Sequence, residues 1–193
     1  MFQQFNPALR LAVLLTVLTG LIYPGLVTAL CQTLFREKAN GSLIYRNGQV
    51  VGSKLIGQNF ARPEYFHPRP SAAGNDGYDP TSSGGSNLGP TSEKLVSRVK
   101  SAAAQFRAEN PEHTGSIPSD AVTTSGSGLD PDISVANAYA QSARVATARG
   151  VADGEVNRLV RTAIQNRGLG FLGEPHVNVL ELNLTLDQQL PKK

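Results

Sequence analysis

Residues 11–30 read LAVLLTVLTGLIYPGLVTAL, a run without a single charge. At about 1.5 Å per residue, a helix of this length spans roughly the 30 Å of a bilayer's hydrocarbon core. Arg10 bounds one end; Arg36, Glu37 and Lys38 bound the other. Pro24, inside Tyr23-Pro24-Gly25, removes one helical hydrogen bond, so a kink is expected there, which membrane helices tolerate. The rival reading is a cleaved signal peptide, whose apolar core is only about 7–15 residues and is followed by an A-x-A-like site. This run is longer, and Thr28-Ala29-Leu30-Cys31 lacks the small residue expected directly before a lipidated cysteine. The reading is a retained transmembrane helix over 11–35, with 1–10 as an N-terminal tail. Thr16, Thr19 and Gly20 are its candidate helix-contact residues, because small side chains let membrane helices approach closely.

Working outward, the 193-residue chain leaves enough length after the anchor for one domain with its own core. A net charge of +3 with 17% charged residues is too mild a balance to argue for a nucleic-acid partner. Cys31 is the one cysteine, so no intramolecular disulfide can form, and a buried, unreactive thiol is expected at its place in the apolar run. A positive-inside count, with Arg10 on one side and Arg36, Lys38, Arg46 and Lys54 on the other, favours a cytoplasmic domain. Long domains translocate largely regardless of charge, so the count leaves both sides open.

The domain, residues 36–187, opens with two apolar runs, 43–45 and 50–56, around Arg46-Asn47-Gly48-Gln49. Asn-Gly in that setting predicts an antiparallel hairpin. From 61 to 90 the texture turns to Gly, Pro, Ser and Asn, predicting a long loop; Phe60, Tyr65, Phe66 and Tyr78 predict that it is ordered and packed. Thr91 is read as the cap of an amphipathic helix with Leu95, Val99, Ala102 and Phe106 on one face, ending at Asn110-Pro111. After a second loop, Ser134 is read as the cap of a helix reaching Arg149-Gly150. Asp153 opens a third, carrying Val156, Leu159, Val160, Ala163 and Ile164 and stopped by Gly168 or Gly170. Leu180, Leu182, Leu184 and Leu186 alternate with polar residues, which predicts a half-buried strand. The tail is 188–193. These elements predict an α+β class: a single N-terminal transmembrane helix, then one mixed domain with a small antiparallel sheet and about three helices.

Chemical motifs are sparse. The string G-x-x-x-x-G-K-[ST] does not occur, and the Gly-Ser stretches at 82–89 and 125–128 read as tight turns before anion cradles. His67, His113 and His176 are scattered, against the clustering that metal ligands require. Ser125, Ser127, Asp130 and Asp132 miss the G-x-S-x-G spacing and read as turn and helix-entry chemistry, so no catalytic residue is assigned. Gln141 and Arg144, three apart, share a helix face whose plain reading is a solvated one.

Five ordered segments carry more. They are Leu55-Ile56-Gly57-Gln58-x-Phe60; Tyr65-Phe66-x-Pro68-Arg69-Pro70-Ser71-Ala72; Ser83-Gly84-Gly85-Ser86-Asn87-Leu88-Gly89-Pro90; Val122-Thr123-x-Ser125-Gly126-Ser127-Gly128-Leu129-Asp130-Pro131; and Val177-Asn178-Val179-Leu180-Glu181-Leu182-Asn183. With an apolar span before them, the chain resembles the C subunit of the bacterial Kdp-type potassium-transporting ATPase from the anchor to about Asp187. A polar stretch at 109–116 reads as a variable loop.

The resemblance implies a non-catalytic subunit of a high-affinity, ATP-driven potassium uptake complex in the inner membrane, its soluble domain extracytoplasmic. The implied partners are a potassium-channel-like subunit, a P-type ATPase subunit phosphorylated on aspartate, and a small single-span subunit. No Asp-Lys-Thr-Gly-Thr string occurs in this chain, consistent with hydrolysis in another subunit. No cofactor is implied by a motif of its own, and ATP only together with the ATPase subunit. Two roles follow: a catalytic chaperone that aids ATP binding, with Gln141 as the nucleotide contact, or a structural cap over the channel-like subunit. An unrelated anchored module that binds a small ligand in the 61–90 loop is the third reading.

Overall fold

The computed structural model describes residues 4–192, and the chain divides into two units, through Leu43 and from Ile44 onward. In the first unit, α1 (Phe5–Val17), a π turn (Leu18–Ile22) and α2 (Tyr23–Leu34) form one continuous helix. It has 30 residues and a mean hydropathy of 2.0, long and apolar enough to cross a membrane. The helix takes in Arg10, which the sequence reading had placed just outside it. Of the expected tails, residues 1–3 and 193 lie outside the described residues.

The π turn has a local cause. Pro24 has no N–H to offer a carbonyl one turn back and its ring crowds that carbonyl, and a widened turn relieves both. Thr19 Oγ1 donates to Leu15 O at 2.7 Å, and Thr33 Oγ1 to Ala29 O at 3.0 Å, so both hydroxyls are satisfied within the helix. Thr16 and Gly20 lie one turn apart on a single face, and Cys31 is partly exposed on α2. A single short turn, α3 (Arg36–Ala39), follows.

The hairpin forms as expected. Strands β1 (Leu43–Arg46) and β2 (Gln49–Ser53) are joined by Asn47 and Gly48, both at positive φ, the signature of a type I′ turn. β2 stops at Ser53, short of the predicted 56. Helix α4 (Glu93–Glu109) is capped by Ser92, not Thr91, and Ser92 makes no side-chain capping bond. Helix α5 (Val135–Arg149) starts as predicted: Ser134 Oγ accepts from Asn137 N, and Gly150 closes it in the left-handed conformation.

Two further predictions fail. Helix α6 (Asp153–Ala163) ends before Ile164, not at Gly168 or Gly170, because Ile164 turns extended to pair with Val177. Residues 180–187 are not a strand. They lie in α7 (Val179–Gln189), entered through Asn178, whose side chain accepts from Glu181 N. Its buried positions, Val179, Leu180, Leu182, Asn183 and Leu186, fall on one helical face at spacings of three and four, while Leu184 is only partly buried.

The sheet of the core is built elsewhere, from short strands that carry no alternation long enough to read. β3 (Asp132–Ser134), β5 (His176–Asn178) and β4 (Ile164–Gln165) pair antiparallel in the order β3-β5-β4. Ile133 and Ile164 flank Val177 in register, and α5, α6 and α7 each touch β5. The core gathers Phe66, Ile133, Val145, Val156, Val160 and Leu186. The class is α+β, with four long helices in the domain in place of about three.

The helix assignment for α7 has a sharp test. Leu186→Ala is expected to lower stability by about 2–5 kcal/mol and Leu184→Ala by under about 1 kcal/mol, because only Leu186 is fully buried. Equal costs on denaturation of the full chain in detergent would restore the strand reading.

Candidate functional site

The 61–90 loop is ordered, and its anchoring explains the cleft beside it. From Arg62 to His67 every backbone carbonyl meets a side chain. The ring of His67 meets Arg62 O at 3.1 Å; Arg144 donates to Pro63 O at 2.6 Å and Tyr65 O at 3.0 Å; Arg149 Nε donates to Glu64 O at 2.8 Å. Two carboxamides complete the series. Asn183 accepts from Phe66 N at 2.9 Å and donates to Phe66 O at 3.0 Å. Gln141 accepts from His67 N at 2.7 Å and donates to His67 O at 3.1 Å.

Gln141 is therefore not on a solvated face: it is 2% exposed. Its remaining capacity is also used. Nε2 donates to Asn137 Oδ1 at 2.9 Å, and Oε1 accepts from Arg144 at 2.7 Å. Two donors and two lone pairs are all that a carboxamide has, so this one is saturated. Asn137 continues the chain to Asp120, which also accepts from the N–H and hydroxyl of Ser134. The entry to α5 and the anchoring of the loop are one network.

Farther along, Ser71 Oγ donates to Gly128 O at 2.6 Å and accepts from Tyr78 N at 2.8 Å. Tyr78 in turn donates its hydroxyl to Arg69 O. The two Gly-Ser stretches pair with each other: Gly84 N and Ser83 Oγ both donate to Ser127 O. A Cβ on Gly128 would lie 2.6 Å from Gly84 O, so glycine is required by this approach as well as by its positive φ. Asp130 holds Arg69 at 2.9 Å and caps Asp132 N. Ser125 and Ser127 accept from Gly128 N and Leu129 N, confirming turn chemistry at those serines.

This loop, α4 and α5 enclose a cleft of about 350 Å³. Phe60, Pro68, Pro70 and Tyr78 line it from the loop, Phe106 and Glu109 from α4, and Gln141 from α5. Arg69 also lines it, and its Nε is buried without a hydrogen-bond partner. His67 Nδ1 lies 3.2 Å from Glu109 Oε2 and its Nε2 3.4 Å from Arg144. Burial, then the charge of Arg144, holds the imidazole below its usual 6.5 against the pull of Arg62 O and Glu109. Burial likewise pushes the Arg144 guanidinium down to about 10, which leaves it cationic at neutral pH. Among the described residues no three metal-ligating side chains converge, and the hydroxyl of Ser71 faces a carbonyl, not a base. The arrangement is one that fixes backbone.

The sequence reading found Gln141 and its neighbour Arg144, and the structure joins them. It missed Asn183, Asn137, Asp120 and Glu109. For Asn183 a signal existed, since a lone amide inside a leucine-rich segment is a candidate buried clamp. Thr16, Thr19 and Gly20 lie together on the apolar helix, in the other unit.

Gln141→Ala and Asn183→Ala are each expected to cost on the order of 2–4 kcal/mol in the full chain, because each leaves buried backbone groups unpaired. The pH dependence has a definite sign. The unfolded chain binds a proton at His67 more tightly than the folded one, so stability is full above pH 6.5 and declines as pH falls through the lowered folded value. Melting curves from pH 8 to 5 should show that decline, and His67→Gln should flatten it.

Comparison with known proteins agrees along the whole chain. The family described as K+-transporting ATPase, c chain, matches residues 5–188. A Caulobacter vibrioides protein named Potassium-transporting ATPase KdpC subunit is 57% identical over 192 residues, 99% of this chain and 96% of its own length. Proteins with the same name from Beijerinckia indica and Mycobacterium tuberculosis are each 54% identical, over 99% and 97% of this chain and 96% and 100% of theirs. A match that runs from the apolar helix through the clamped loop to α7 leaves one assignment: the chain belongs to the c-chain family of K+-transporting ATPases.

Proposed function

We propose that this chain is a non-catalytic subunit of a high-affinity, ATP-driven potassium uptake complex of the inner membrane, and that it supports assembly of that complex. Its partners are a potassium-channel-like subunit, a P-type ATPase subunit and a small single-span subunit. The observation that carries the reading is the saturated amide of Gln141. The polar groups of the domain's central network are spent on holding one loop in one shape, which is what a docking scaffold needs. Thr16, Thr19 and Gly20 supply the close-packing face of the anchor, and the domain works outside the cytoplasm.

The second reading, a catalytic chaperone that aids ATP binding through Gln141, is favoured by one observation: Gln141 lines the cleft. A nucleotide contact there would have to replace one of four existing hydrogen bonds of a residue that is 2% exposed. Any influence on ATP affinity is then transmitted through assembly.

Cys31→Ala combined with Ser116→Cys, at an exposed loop position, places a single thiol on the domain. A membrane-impermeant thiol reagent is expected to label it in intact cells. Gln141→Ala is expected to reduce the amount of assembled complex while the complex that forms keeps its KM for ATP. Protection until lysis, together with a raised KM for ATP in fully assembled complex, would replace this reading with the chaperone one.

A further inference from the structure

Between β4 and β5 the chain makes a small knuckle that contributes nothing to the core. Gly168 and Leu172 exchange two backbone hydrogen bonds, both 2.8 Å, and Gly170 N and Phe171 N close the turn onto Arg167 O and Gly168 O. Arg167 and Glu174 pair across the base at 2.6 Å. The tip is therefore preformed. It presents Leu169 at 84%, Phe171 at 69% and Leu172 at 53% exposure. Leu169 sits at φ +54°, a left-handed conformation that leucine rarely adopts, although no core contact holds it there. Backbone strain that carries a large apolar side chain into solvent is a mark of an interaction site.

We propose that this knuckle is a docking knob, and that its occupant is an uncharged, apolar-lined socket on another subunit of the same complex. The proposal rests on the reading of the chain as an accessory subunit. Size argues for that occupant. Three large apolar side chains, at roughly 150–200 Å² each, fall short of the ~800 Å² per partner that a self-sufficient interface buries. Such a knob serves a partner already held by other contacts, and a subunit sharing the membrane with the anchor meets that condition. A second copy meeting tip to tip buries no more than that and has nothing else to hold it. Charge argues against lipid: Arg167 is neutralised by Glu174, and the tip has no Lys, Trp or Tyr to engage headgroups.

The test uses the full chain expressed with its complex. Leu169→Gly relieves the strained φ and removes the knob, so it should fold at least as stably while recovery of co-purifying subunits after a stringent detergent wash falls. Leu169→Ser, Phe171→Ser and Leu172→Ser together should lower that recovery roughly tenfold, as loss of a central contact cluster does. Phe171→p-benzoylphenylalanine should photocross-link to one large subunit. Lipid adducts, a self-dimer or no adduct would each overturn the proposal, as would unchanged recovery of both variants. Failure of the unsubstituted chain to recover any potassium-ATPase subunit would instead overturn the functional reading beneath it.

Discussion

Six consecutive carbonyls, from Arg62 to His67, have no strand or helix to pair with, and the domain answers each with a side chain. Buried backbone groups left unpaired cost free energy of the order of a lost hydrogen bond each, so a proline-rich loop can lie against a core only if something supplies partners. Carboxamides suit the task because they copy the peptide group, one donor and one acceptor side by side. Asn183 from α7 and Gln141 from α5 act as two pieces of surrogate strand. The loop's position is thereby tied to the packing of the two helices, and the cleft takes its shape from that tie.

Arginine does the rest, for reasons of geometry. A planar guanidinium with five N–H groups can hold carbonyls at different heights at once, which an ammonium on a flexible stem cannot. Arg149 is 2% exposed and reaches Glu64 O, Leu190 O and Asp187, so one cation joins the loop to the end of α7. The ring of Tyr65 lies 5.1 Å from its guanidinium and takes part of its hydration cost through cation–π attraction. Removing a buried cation is costly because the carbonyls it served stay behind, which makes these arginines structural in effect.

How far the fold was legible follows from how local each signal is. The hairpin at Asn47-Gly48, the cap at Ser134 and the stop at Gly150 are encoded within a few residues, and all three stand in the structure. The α7 error came from counting leucines alone: Leu180, Leu182, Leu184 and Leu186 have period two, but Val179 and Asn183 complete a helical face. Asn178 followed by Glu181 was the competing cap signal. Strands of two or three residues, such as β4 and β5, exist only because their neighbours hold them, and no window of sequence contains those neighbours. In the site, Gln141 and Arg144 were visible as a pair because they are one turn apart. Their partners in the loop stand 74 to 81 residues away, and such pairings are not written in spacing.

The amides of Gln141 and Asn183 and the guanidiniums of Arg144 and Arg149 are spent inward, on the loop. At the knuckle the exposed charges cancel, Arg167 pairing with Glu174 at 2.6 Å, and surface ion pairs contribute little free energy. Recognition then falls to shape and apolar area on rigid elements, and rigidity is what the inward network provides. Leu169 and Phe171 extend from a turn whose two ends are strands of the core sheet, β4 and β5, so the same packing that fixes the loop also fixes the knob. For a subunit without a catalytic motif, this is a coherent division: internal hydrogen bonds set the shape, and a few exposed apolar side chains present it to a partner.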